Sequence, residues 1–187
     1  DAVDIWVPLT AEFDGNAGAV AAARARQRQV WWYVCLAPRR PYANLSVEYD
    51  AVEPRLLAGA MAARYLPDGF LYFALNRWPA TARPIASGPR TDWDPVSFPL
   101  THGDGSLLCA GPHGPLATIR LENLRDGMED LAYYRLAADL LRRHGLPPEP
   151  AQAPAGLVAD LASFSRDPAV LEAERERLAT LIERLVH

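Results

Sequence analysis

The pattern of apolar and polar positions divides the chain into alternating elements. Val30 to Leu36, reading VWWYVCL, is apolar without a break. It is too short for a globular helix and rich in aromatic and β-branched side chains, which predicts a buried strand. The next residues, APRRPYAN, reject regular structure and predict a loop of polar and aromatic groups at that strand's carboxyl end. Val3 to Leu9 reads as an earlier strand, with Pro8 placed near its end and a loop carrying Glu12 and Asp14 after it. Phe70 to Leu75 reads as a third buried strand running into Asn76, Arg77, Trp78 and Pro79.

Helical signals lie between the strands. Ala17 to Gln29 is helical on propensity, and Pro54 to Leu66 repeats Leu57, Met61 and Tyr65 at helical spacing before Pro67 and Gly69 stop it. Ser46 to Asp50 reads as a short extended piece. Strand, helix, strand, helix, strand predicts right-handed crossovers and a parallel sheet, whose sites gather at the strands' carboxyl ends. Ala80 to Gly105 is a long Pro/Gly-punctuated loop holding Asp92, Trp93, Asp94, His102 and Asp104.

Farther on, Leu107 to Ala110 is a short apolar piece, with a turn at Gly111 to Pro115. A long helix follows over Ala117 to His144, with Leu121, Leu124, Met128 and Leu131 on one face and Gly145 as its C-cap. These elements place one α/β domain over residues 1–145. Residues 146–154 are Pro-rich and read as a stiff spacer, and 155–187 as a helical extension. In that extension Gly156 to Phe164 reads as a short helix. Asp167 and Pro168 read as N-cap and first turn of a last helix with Leu171, Leu178 and Leu185 in a stripe. The stripe covers too few heptads for a coiled coil and reads as a face packed on the domain.

Composition narrows the function classes. The 187 residues carry a formal net charge of -4, with 50% hydrophobic and 22% charged residues, enough to bury a core. Arg and Glu are interspersed, so there is no basic stripe for nucleic acid and no polybasic membrane segment. No apolar run reaches the roughly 20 residues of a membrane span. Cys35 and Cys109 lie in apolar surroundings without metal spacing, and His102 and His113 lack a second ligand, so the residues imply no metal and no cofactor.

Three parallel strands make a small sheet with exposed edges, which leaves an open α/β layer structure or the carboxyl-terminal portion of a (β/α)8 barrel, a fold of about 250 residues. Three strings bear on the choice. They are VWWYVCLAPRRPYAN, EYDAVEPRLLAGAMAARYLPDGFLYFALNRW and GDGSLLCAGPHGPLATIRLENLRDGMEDLAYYRL. In this order they resemble the carboxyl-terminal region of glycoside hydrolase family 123-like proteins, the segment catalogued as domain of unknown function 4091, over roughly Val3 to Leu141.

The resemblance implies a TIM-type barrel, an N-acetylhexosamine-containing glycan as partner, and β-N-acetylgalactosaminidase-like hydrolysis assisted by the substrate's own acetamido oxygen. It also suggests an extracellular or periplasmic location, with the rest of the barrel encoded upstream. An Asp-Glu pair does the protein's share in that family, and no Asp-Glu dipeptide occurs here. Glu53-Pro54 lacks the preceding Asp and opens a helix. We therefore assign no catalytic residue to this chain, and two readings stand: part of a hydrolase that supplies substrate-binding groups, or a noncatalytic carbohydrate-binding or scaffold protein on a degenerate barrel. The groups suited to grip a sugar are Trp31, Tyr33, Tyr42, Asn44, Asn76 and Trp78, with Glu12 and Asp14 as hydroxyl partners. The charged string Arg120, Glu122, Arg125, Asp126, Glu129 and Asp130 reads as ion pairing on and around one helix.

Overall fold

In the computed structural model, which describes residues 2–77, 96–98, 101–111 and 113–187, three chain segments lie side by side in parallel. β1 (Ile5–Trp6) pairs with β2 (Gln29–Val30), and Leu9 bridges Tyr33 farther along. β3 (Trp32–Tyr33) continues the same central segment and pairs with β4 (Phe70–Leu71). A fourth segment runs antiparallel to the continuation of the third, with Asn76 bridging Ser106 and the Leu108 N–H donating to the Leu75 carbonyl at 2.9 Å. These strands do not close a barrel. They form an open α/β layer.

Helices cover one face of that layer. α1 (Thr10–Gly15) and α2 (Ala17–Ala25) connect β1 to β2. Glu12 and Asp14, expected on a loop, therefore lie on a helix, because Thr10 to Gly15 continues directly into the alanine-rich run. A second helical stretch joins β3 to β4: α3 (Glu53–Leu56), a π-helical turn at Leu57–Met61, and α4 (Ala62–Tyr65), which ends on a left-handed Leu66 at φ 51°. Period-two alternation decides what each central side chain meets. Val30, Trp32 and Val34 are buried toward the helices, where the Trp32 ring meets Phe13 edge-on at 5.6 Å and Tyr65 at 6.4 Å. Trp31 and Tyr33 are only half-buried. The stretch expected to be buried on both faces is buried on one.

Beyond the sheet, β5 (Val96–Phe98) and β6 (Thr101–His102) form a hairpin, as do β7 (Leu108–Gly111) and β8 (Gly114–Ala117). α5 (Ile119–Arg143) follows, N-capped by Thr118, whose side chain accepts from the Leu121 N–H. Of the expected stripe, Leu121, Leu124 and Leu131 pack against the core, and only Met128 turns away, because the most deeply buried face is shifted toward Gly127 and Asp130. Met128 is 64% exposed, while Gly127, Asp130, Tyr134 and Ala137 are buried. Gly127 explains why: a Cβ there would stand 2.5 Å from the Arg55 carbonyl oxygen and 2.9 Å from the Ala58 Cβ, so α5 crosses the second helical stretch almost backbone to backbone. Across the same contact Arg55 clasps Asp130, Nε to Oδ2 at 2.6 Å and Nη2 to Oδ1 at 3.2 Å, and Arg55 also reaches Glu172.

The Pro-rich stretch after α5 carries a 3-10 turn at Glu149–Ala151 and buries Ala151 and Ala153 in the common core. Residues 156–164, expected as a helix, are bends closed by a Val158 to Phe164 bridge, with Leu157, Val158 and Leu161 buried. Asp160 turns the chain there by accepting from the Ala162 N–H, which favours a turn over a helix. α6 (Pro168–Val186) starts where Asp167 Oδ1 accepts from the Ala169 N–H at 2.9 Å, and it packs Leu171 and Leu178 inward. Ser46 to Asp50 also lacks a strand. No helix among the described residues is long and apolar enough to cross a membrane.

Candidate functional site at the strand ends

The carboxyl end of the central strand delivers Tyr33 and then Cys35, and the end of β4 leads into Tyr72. Opposite them a turn of Gly103, Asp104 and Gly105 drops Asp104 between the strand ends. Both glycines are left-handed, φ 73° and 75°, a conformation that favours residues without a Cβ. Arg120, from the start of α5, organises that turn from beneath. Its guanidinium donates to the carbonyls of Leu45 and Gly103, each at 2.7 Å, and to that of Ser106. A Cβ on Gly103 would lie 2.7 Å from that guanidinium, so the turn and the arginine are fitted to each other.

Asp104 is 1% exposed. Its Oδ1 accepts from the Tyr72 hydroxyl at 3.0 Å, and that hydroxyl accepts from the Gly105 N–H at 2.6 Å. Oδ2 has no hydrogen-bond partner among the described residues. Buried polar atoms are nearly always paired, so an orphan carboxyl oxygen at the strand ends makes Asp104 a candidate site group. Burial pushes the Asp104 carboxyl above its ordinary range, against the opposing pull of Tyr72, the Gly105 N–H, Arg77 and Arg120. Tyr33 is pushed up to about 12, first by burial and then by Cys35 and the Asp104 charge, so its hydroxyl remains a donor throughout the neutral range. Thr10 Oγ1, immediately after the Leu9 bridge, is also buried and unpartnered among the described residues.

The groups singled out from the sequence fall in different places. Trp31 sits two residues before Tyr33, its indole N–H bound to Gln29 Oε1 at 3.0 Å. Tyr42 and Asp14 are brought together, hydroxyl to Oδ2 at 3.4 Å, and burial leads the rise of that hydroxyl's pKa. Asn44 is buried and spent within its own loop: Nδ2 donates to the Cys35 and Pro38 carbonyls, and Oδ1 accepts from the Leu45 and Ser46 N–H groups. Glu12 is exposed and bonds to Asn16. Asn76 is exposed beside Ser106. Trp78 lies outside the described residues. Asp104 and Tyr72 were not among the sequence candidates; the Gly-Asp-Gly string is the local signal that marks Asp104.

Tyr33, and Tyr72 with the buried Asp104, thus stand at the carboxyl ends of adjacent parallel strands, where α/β sheets usually place their sites. Residues 1–137 match the glycoside hydrolase 123 catalytic domain. The chain belongs to the glycoside hydrolase 123 family. At the family level it is thus a glycoside hydrolase, with carbohydrate as the substrate class. Tyr33, Tyr72, Asp104 and Arg120 lie inside the family domain, whereas the extension carrying Arg166 and α6 lies beyond the matched residues. No curated protein matches the chain.

Proposed function

We propose that this glycoside hydrolase 123 domain is the carboxyl-terminal wall of a (β/α)8 barrel that acts on N-acetylhexosaminides by substrate-assisted, retaining hydrolysis. The family match over residues 1–137 carries the reading. Two features of the molecule support the barrel. The parallel strands present Tyr33 and Tyr72 toward one end, where barrel enzymes place their sites. Among the described residues the outer strand is unpartnered on one side: Ile5 and Trp6 are 45% and 50% exposed, and an apolar groove of about 500 Å³ lies between β1 and α2, lined by Trp6, Val7, Pro8, Val20 and Ala23. A preceding strand and helix would cover both.

In this reaction the acetamido oxygen bonds to the anomeric carbon as the glycosidic bond breaks. The family's Glu gives its proton to the leaving oxygen and then takes one from the water that opens the new bond, while the Asp orients the acetamido group. That Asp-Glu pair is not encoded within these residues. The chain's share is recognition. Tyr33 donates its hydroxyl to the sugar, Tyr42, Asn76 and Trp78 add ring and amide contacts, and Asn44 shapes the loop that carries Tyr42.

The test is hydrolysis of an aryl N-acetyl-β-galactosaminide by this chain expressed with its upstream coding sequence. Turnover supports the reading. A folded protein that has the Asp-Glu pair and does not turn over defeats it. The missing dipeptide favours one alternative, a noncatalytic glycan-binding protein, which predicts binding on a glycan array without turnover.

A further inference from the structure

The loop that follows β3 is held from two directions. Asn44 closes it from within. From outside it is reached by residues beyond the matched domain, where Arg166 Nε donates to Glu53 Oε1 at 2.7 Å and Nη2 to the Pro41 carbonyl at 3.3 Å. Glu53 is fully buried and commits its other oxygen to the loop, accepting from the Asn44 N–H at 3.0 Å. Arg166 is also 3.2 Å from Asp50, and its guanidinium lies 4.3 Å from the Phe164 ring centre, an arrangement that holds the fork in place. Phe164 is anchored in turn by its bridge to Val158, beside the buried Leu157 and Leu161.

We propose that Arg166 is a positioning residue: the extension beyond the family domain braces the 37–44 loop through Glu53 and thereby sets the wall on which Tyr42 sits. That the loop faces a substrate rests on the function proposed above; the brace itself does not. Without Arg166 the buried Glu53 carboxylate keeps, among the described residues, the Asn44 N–H and the more distant Arg40, 3.9 Å away. Removing one partner of a buried pair leaves a charge that the site must expose or neutralise, and either response loosens the loop.

The loop contains its own reporter. Arg39 and Arg40 are exposed, and trypsin can cut after Arg39 but is blocked at Arg40 by Pro41. Cleavage after Arg39 is followed in the wild type, R166A, R166K and R175A. Arg175 pairs with Glu129 and Asp130, away from the loop, and controls for general loosening of the extension. R166A is expected to be cut about tenfold faster, with R166K between it and the wild type and R175A unchanged. Should R166A not fold, Glu53→Gln supplies the same test, since it removes the ion pair and keeps an acceptor for Asn44. Wild-type cleavage in R166A, or equal acceleration in R166A and R175A, overturns the proposal. In the protein with its upstream sequence, R166A should also raise KM more than it lowers kcat. Because proteolysis needs no turnover, failure of the hydrolase reading leaves this result interpretable.

Discussion

The Tyr72 hydroxyl stands 3.0 Å from Asp104 Oδ1 and 2.6 Å from the Gly105 nitrogen, while Asp104 Oδ2 has no partner among the described residues. The carboxyl is therefore half satisfied, and burial keeps its pKa above the ordinary value. Folding then binds the proton more tightly than the unfolded chain does. The stabilisation is fully present below the unfolded carboxyl pKa of about 3.9 and is lost as pH rises through the folded value. Asp104→Asn retains an acceptor for Tyr72 and cannot ionise. The Tm of the wild type relative to Asp104→Asn should fall as pH increases from about 4 toward neutrality. A wild-type Tm that stays constant relative to Asp104→Asn, or rises relative to it, as pH increases would show that Asp104 ionises at no cost to folding.

Arg55 and Asp130 have side chains 8% and 6% exposed and fasten the second helical stretch to α5. Arg55→Ala leaves Asp130 buried with Arg175, 3.3 Å from Oδ1, as its remaining cation. Breaking a buried pair of this type costs about 3–5 kcal/mol. Urea unfolding should show a loss of that order for R55A, and a much smaller one for Arg142→Ala, whose pair with Asp139 is exposed.

Alanine substitution should have opposite signs at two helical glycines. Gly18 in α2 has no atom within 4 Å of a built Cβ, so Gly18→Ala should stabilise by about 0.5–1 kcal/mol. Gly127→Ala instead forces α5 away from the Arg55 carbonyl and should cost about 1–3 kcal/mol. Thermal melts of the two variants suffice to check the reversal.

The sequence carried the alternation of strands and helices because long-range packing and local pattern agree there. Val30, Trp32 and Val34 alternate with Trp31 and Tyr33, and helices fill the connections. The second hairpin was hidden because Gly114–Ala117 is exposed throughout and has no apolar alternation to reveal a strand. α1 was hidden because Leu9 offers no side-chain cap and the helix is short. Among the candidate groups, the place of Tyr33 at a strand end follows from the pattern. Asp104 could not be ranked from its neighbours, since its burial depends on Arg120 and Tyr72, distant in sequence and joined only by the fold. Asn44 looks like a ligand group by type, yet its amide is consumed by backbone partners that a sequence does not display.

Tyr33 is the group through which fold and proposed chemistry meet. Tyr33→Phe removes the hydroxyl and keeps the ring, so folding should change little while sugar binding weakens. If the hydroxyl bonds the substrate equally before and during reaction, KM should rise about 5- to 20-fold with kcat nearly constant. Equal kinetics for Tyr33→Phe and wild type would remove Tyr33 from the recognition surface.

The most direct measurement is the steady-state hydrolysis of an aryl N-acetyl-β-galactosaminide by the protein that includes the coding sequence upstream of these residues, followed by the stereochemistry of the released sugar. Turnover with retention of anomeric configuration is expected. Inversion, or no turnover by a folded protein that carries the Asp-Glu pair, would contradict it.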